Sequence, residues 1–259
     1  MRLALGVEYD GSAYHGWQLQ AHAPSVQAEV ERALSKVADH PVQVLCAGRT
    51  DAGVHASGQV IHCDVQSERS MRSWVFGANA NLPRNITVLW AKPVVDQFHA
   101  RFSAQRRAYR YVIFSRDVRP SFLAQRVAWD YRKLAVAPMA EAAQHLIGEH
   151  DFSSFRGPDC QAQHAVRTLN RLDVTASNAF IYLDVEANGF LHHMVRNIAG
   201  VLMDIGAGEQ PPQWAAEVLA HRNRTKAGMT APAHGLYLVR VDYPEEFGIP
   251  VVSPPALGL

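Results

Sequence analysis

An α+β fold of two ferredoxin-like halves, each running β-α-β-β-α-β, is what this chain of 259 residues predicts. Three observations carry the prediction. Short runs with apolar residues at every second position alternate with longer runs whose apolar residues recur every three to four. Those signals follow the order β-α-β-β-α-β, and the same order returns after a connecting segment near residues 98–106. A hydrophobic content of 48% is ample for one large or two modest cores. The halves are expected at 1–104 and 105–245, with 246–259 as a tail of little signal that carries Pro250, Pro254 and Pro255.

In the first half, Leu3, Leu5, Val7 and Tyr9 alternate as in a half-buried strand. Ser25 follows Pro24 as an N-cap, and Val26, Val30, Ala33, Leu34 and Val37 make the stripe of a helix over 25–38. Strand-like runs follow at 42–47 and 58–65. A weaker helical pattern over 71–80 is ended by Asn81, Pro83 and Asn85, and 86–95 reads as a strand. The second half predicts a strand at 107–115, a helix at 137–147, strands at 167–176 and 180–187, a helix at 192–206 and a strand at 236–242. Residues 212–222 add a further helix.

Composition excludes several classes. The opening MRLALGVEYDG is interrupted by Glu8 and Asp10, which fits neither a signal peptide nor a membrane span, and no apolar run reaches the length of one. A cytoplasmic protein is the expectation. Cys46, Cys63 and Cys160 show no CxxC spacing, so they read as small apolar residues rather than a disulfide framework or zinc site. The net charge is only +1, but residues 101–133 hold nine Lys or Arg against Asp117 and Asp130. That stretch is either a phosphate-binding face or a solvated surface. The chain prefers arginine, 21 to 4 over lysine, which suits bidentate phosphate contacts.

The segment GRTDAGVHA, residues 48–56, places Asp51 two residues after Arg49 in a turn-like run with glycines at 48 and 53. Thr50 and Asp51 could cap a turn beside a surface arginine. Alternatively, Asp51 is a nucleophile or general base whose charge a neighbouring guanidinium favours once substrate excludes water. The loop DGSAYHGWQLQ offers Tyr14, His15 and Trp17 either for stacking on bases or for packing in their own domain. On RRAYRYVIF, alternation puts Tyr109 and Tyr111 on one face and Arg110 on the other, which suits a base-stacking platform or a pair of core tyrosines. In FLHHMVRN, Arg196 projects opposite Met194, Ile198, Val201 and Ile205, towards solvent or towards an acid across a cleft. His192 and His193 are adjacent and would diverge by about 100° on a helix, so they are not expected to share a metal. Asp51 with His55, His62 and Asp64 could serve a metal-dependent hydrolase, although no HExxH or HxH pattern accompanies them.

Six long stretches in order then give the chain a close resemblance to the TruA family of bacterial tRNA pseudouridine synthases. They are YDGSAYHGWQLQ (9–20), GRTDAGVHASGQV (48–60), FHARFSAQRRAYRYVIF (98–114), HDFSSFR (150–156), FLHHMVRNIAG (190–200) and TAPAHGLYLVRVDY (230–243). The resemblance implies a continuous, mostly antiparallel sheet through both ferredoxin-like halves, with a central active-site cleft. It further implies a homodimer that binds tRNA and a cofactor-free, metal-free isomerisation of uridine to pseudouridine at positions 38, 39 and 40 of the anticodon stem-loop. By motif, the catalytic residues fall on Asp51, Arg49 and Arg196. Tyr109 contacts substrate, and Arg107 and Arg110 flank it on the same strand as substrate-binding residues. The first half would thus carry the acid loop, and the second the tyrosine strand and arginine helix. A non-catalytic RNA-binding module and a metal-dependent hydrolase are the competing classes.

Overall fold

The computed structural model describes residues 1–251, so 252–259 of the tail lie outside the described residues. The chain forms two compact units, one of Met1–Arg107 together with Tyr237 onward, the other of Ala108–Leu236. The described residues carry ten strands and five α-helices, a mixed α+β architecture with mostly antiparallel pairing.

In the first unit, β1 (Arg2–Tyr9) lies between β3 (His55–Asp64) and β4 (Ile86–Val94), antiparallel to both. β10 (Leu236–Asp242) pairs in parallel with the start of β3 through Tyr237 and Leu238. Two helices complete the unit, α1 (Val26–Ala38) and α2 (Met71–Asn81), packed on one another. α1 forms where the stripe predicts it. Ser25 Oγ accepts the Ala28 N–H, and Val26, Val30, Ala33, Leu34 and Ala38 are buried. The alternation of β1 implies a half-buried strand, yet Leu3 to Val7 are buried on both faces. Gly6 supplies the reason, because its Cβ-less face receives the indole of Trp90.

Two further strand expectations are corrected. The run at 42–47 pairs only as β2 (Leu45–Cys46), against β3. Before it, the N–H groups of Val42 and Val44 are taken by Ser35 Oγ and Glu31 Oε1 of α1, at 2.9 and 3.0 Å, so the extended chain is tied to a helix instead of a strand. β3 begins at His55 rather than 58, which shortens the acid-bearing loop to the residues before it.

The second unit orders its strands β5 (Arg106–Ser115), β9 (Phe180–Ala187), β8 (Val166–Ser177) and β7 (Gly148–Asp151), with β6 (Ala128–Asp130) parallel to β5. Strand β5 itself starts at the end of the first unit. α3 (Val136–Gln144) packs on α4 (Met194–Gly206) and on β8, and α5 (Trp214–His221) occupies the place predicted for the extra helix. Every residue of α4 except Arg196 and Asp204 is buried, the mark of a helix covered all round. Its start differs from expectation. His193 sits at φ 61° in the left-handed region, so both histidines precede the helix. Their rings stack at 3.8 Å, and the divergence expected on a helix does not arise.

Candidate active site

Asp51 stands half-buried in the loop between β2 and β3, flanked by exposed Arg49 and buried Thr50. The backbone on either side of Arg49 is pinned from beneath. Gln59, fully buried on β3, donates Nε2–H to Gly48 O at 2.7 Å, and its Oε1 accepts the Gly48 N–H at 3.4 Å. Thr50 Oγ1 lies 2.8 Å from the hydroxyl of Tyr9 at the end of β1, and Thr50 O accepts Trp17 N–H at 3.0 Å. After Asp51 the chain turns back on itself, with Val54 N–H donating to Asp51 O and Gly53 N–H to Tyr14 O.

The segment after β1 is therefore scaffold for this loop. Trp17, at 1% exposure, packs into its own unit, and Tyr14 donates its hydroxyl to Asn85 Oδ1 at 2.9 Å in the same unit. Gly16 has φ 97°, and a Cβ there would lie 2.6 Å from Thr50 O and 3.1 Å from the carbonyl carbon of Asp51. Only glycine allows that approach. Arg107 closes the upstream end, donating from Nε and Nη2 to Ala47 O at 3.3 and 3.0 Å and from Nη2 to Arg101 O at 2.6 Å.

The three residues a hydrolase would use with Asp51 are each committed differently. His55 is buried, stacks on Tyr237 at 4.6 Å and lies 3.2 Å from Asp10, whose carboxyl it holds well below the usual carboxylate range. His62 Nδ1 accepts Ala100 N–H at 3.1 Å. Asp64 forms a two-point ion pair with Arg2 at 2.9 and 2.8 Å. Of the cysteines, Cys46 and Cys63 have their thiols pushed up to about 12 by burial, as small apolar residues would.

In the second unit the two tyrosines of β5 separate in role. Tyr111 is fully buried and donates its hydroxyl to Pro232 O at 2.8 Å, so it is a core residue, and the two-tyrosine platform is not formed. Tyr109 meets Phe190 edge to face at 5.0 Å. Phe190, half-buried at the head of the FLHHMVRN run, is a neighbour that strand alternation alone could not reveal. Arg110, on the other face, makes a bidentate pair with Asp184 at 2.7 and 2.9 Å and lies over Tyr182. That pairing raises the Arg110 pKa and leaves the Nη1 donors for other acceptors.

Arg196 lies in the first turn of α4, half-buried, with Nε donating to Ala231 O at 2.9 Å while its own carbonyl accepts Ala231 N–H. Next to it, buried Asn197 donates to Phe155 O at 2.7 Å and accepts from Arg224 and Thr230 at 3.1 and 2.7 Å. This network fixes the segment before β10 against the helix that carries Arg196. Both the arginine and its backbone partner are thereby held.

The sequence pattern of the tRNA pseudouridine synthases matches residues 6–103 and 142–244. Asp51, Arg49 and Arg196 fall inside those spans, and Arg107, Tyr109 and Arg110 fall between them. A tRNA pseudouridine synthase A of Pseudomonas aeruginosa is 57% identical over 250 residues, covering 96% of this chain and 88% of the relative. Relatives of the same name from Nitrosococcus oceani and Coxiella burnetii are 56% and 54% identical, with 98% and 96% of this chain covered, and 98% and 95% of theirs. The chain belongs to the tRNA pseudouridine synthase family.

Proposed function

We propose that this chain isomerises uridine to pseudouridine in tRNA, at positions 38, 39 and 40 of the anticodon stem-loop, with Asp51 as its nucleophile. The observation that carries the reading is the half-buried carboxylate on a loop pinned at Gly48 and Thr50 by buried partners. A solvated turn has no need of such bracing, whereas a reacting group must be held within tenths of an ångström. In this reaction the bond from C1′ to N1 of uracil breaks, the base turns, and a bond forms from C1′ to C5. N1 ends with the proton and C5 loses one, so the change is redox-neutral and needs no cofactor.

The residues divide the work. Asp51 supplies the attacking oxygen, and Arg49 and Arg196 balance its charge while the loosened base is held away from water. Tyr109, backed by Phe190, receives the base once it has left its stack, a cost of a few kcal/mol to be met by binding. Its oxygen, ionised to the phenolate beside Arg107 and Arg110, then takes the C5 proton. Arg107 and the free Nη1 edge of Arg110 meet flanking phosphates.

The family architecture goes with this reading: two ferredoxin-like halves, the first with the acid loop, the second with the tyrosine strand and arginine helix. So do a homodimer and a cytoplasmic location. No helix among the described residues is long and apolar enough to cross a membrane, and the three cysteines are free thiols. A module that only bound RNA would gain nothing from a carboxylate facing phosphates, and His55, His62 and Asp64 are each committed to a separate structural task.

The deciding experiment supplies tRNA carrying tritium at C5 of uridine, with a chelator present. Release of label in step with pseudouridine at positions 38 to 40 is expected. No release, or release abolished by the chelator, would overturn the reading.

A further inference from the structure

Beneath the acid loop runs a buried chain of polar groups that the reaction itself does not touch. Gln59 has two amide hydrogens. One goes to Gly48 O at 2.7 Å, and the other points to the hydroxyl of Tyr9 at 3.5 Å. The Tyr9 hydroxyl in turn lies 2.8 Å from Thr50 Oγ1, where either oxygen can donate. Gly48, Gln59, Tyr9 and Thr50 are therefore joined in one chain of polar contacts, with Gln59 at 0%, Tyr9 at 4% and Thr50 at 7% exposure. Its two ends hold the residues on either side of Arg49, and Thr50 is the immediate neighbour of Asp51. Groups buried this deeply are costly if unpaired, so they stay in this arrangement.

We propose that Tyr9 and Gln59 are positioning residues for Asp51, setting the angle at which its carboxylate meets the substrate. The inference rests on the role given to Asp51 above. Neither side chain reaches the substrate. Their effect passes through the backbone of residues 48 to 50. Such residues act on the chemical step and leave RNA affinity alone, because affinity comes from phosphate contacts elsewhere.

The test measures single-turnover rate at saturating tRNA, tRNA Kd and thermal stability for Tyr9→Phe, Gln59→Leu, Thr50→Val and Thr50→Ser, with Asp51→Asn in parallel. Rates are referred to the folded, tRNA-binding fraction, well below each melting temperature. Tyr9→Phe keeps the ring that lies 5.8 Å from Trp17 and removes only the hydroxyl. The expected result is a rate about 10- to 100-fold lower in Tyr9→Phe, Gln59→Leu and Thr50→Val, with Kd within about twofold of wild type. Thr50→Ser, which keeps the hydroxyl, should recover most of the rate lost in Thr50→Val. Wild-type rates in the three variants, with only lowered stability, would overturn the proposal, as would a loss carried by Kd. Failure of the underlying reading looks different: Asp51→Asn itself would then turn over normally.

Discussion

Replacing Gly16 by alanine perturbs the backbone of the acid loop without changing any side chain assigned to chemistry. Two costs follow from the geometry. Alanine at φ 97° occupies a region that L-residues rarely adopt, which costs about 1–3 kcal/mol. Its Cβ would also stand 2.6 Å from Thr50 O, so that carbonyl must retreat by roughly half an ångström or more before the contact is tolerable. The same oxygen accepts Trp17 N–H at 3.0 Å, and the next residue is Asp51. A displacement of that size at a reacting group lowers turnover by ~10- to 100-fold. Gly208 provides the control, because it has φ 76° with nothing within 4 Å of a Cβ. Gly208→Ala should lose only the backbone part of that stability in urea unfolding and keep its turnover. Tritium release under single-turnover conditions measures the rates of both. Wild-type turnover in Gly16→Ala, or an equal loss in Gly208→Ala, would refute the link between this contact and catalysis.

Other outcomes follow from particular side chains. Burial, aided by the charges of His99 and Arg2, pushes the pKa of His62 down to about 4, below the ordinary ~6.5 that the unfolded chain retains. The unfolded chain therefore takes the proton first. Stability is whole above about pH 6.5 and falls by about 3 kcal/mol as pH drops towards 4, so urea midpoints should fall more steeply in wild type than in His62→Gln, and parallel profiles would contradict this. Tyr109→Phe should bind tRNA normally and turn over poorly, while Tyr109→Leu also loses ~1–3 kcal/mol of base contact; full single-turnover activity in Tyr109→Phe would leave the ring as a stacking surface only. Glutamine at Arg106, Arg107 and Arg110 together should flatten the log-log dependence of tRNA binding on salt by up to about 2. An unchanged slope would mean that these arginines serve only their protein partners, Asp242, Ala47 O and Asp184.

What could be read from the sequence was whatever local chemistry determines. The α1 helix follows from a stripe and a serine cap, and β5, β8 and β9 from runs of strand-forming residues bounded by turns. Asp51 stood out because glycines and an arginine surround it within nine residues. What escaped depends on partners distant in sequence. The strand at 42–47 shrinks because Glu31 and Ser35 take its N–H groups. Alternation grouped Tyr109 with Tyr111, and only the edge of Phe190 beside one and the carbonyl of Pro232 beside the other tell the two buried rings apart. Arg110 reads as a basic residue in a basic run until Asp184, 74 residues away, is seen beside it. Gln59 and Tyr9 carry no local signal of their tie to the loop, since one looks like a polar break in β3 and the other like the end of an apolar strand.

The most direct measurement is made on Asp51→Asn, a change that keeps the size of the side chain and removes its charge. Single-turnover tritium release from C5-labelled tRNA is followed beside the tRNA Kd. No detectable release, with a Kd close to wild type, is the expected result, because binding rests on many phosphate contacts and the chemistry on one carboxylate. Release near the wild-type rate would contradict it.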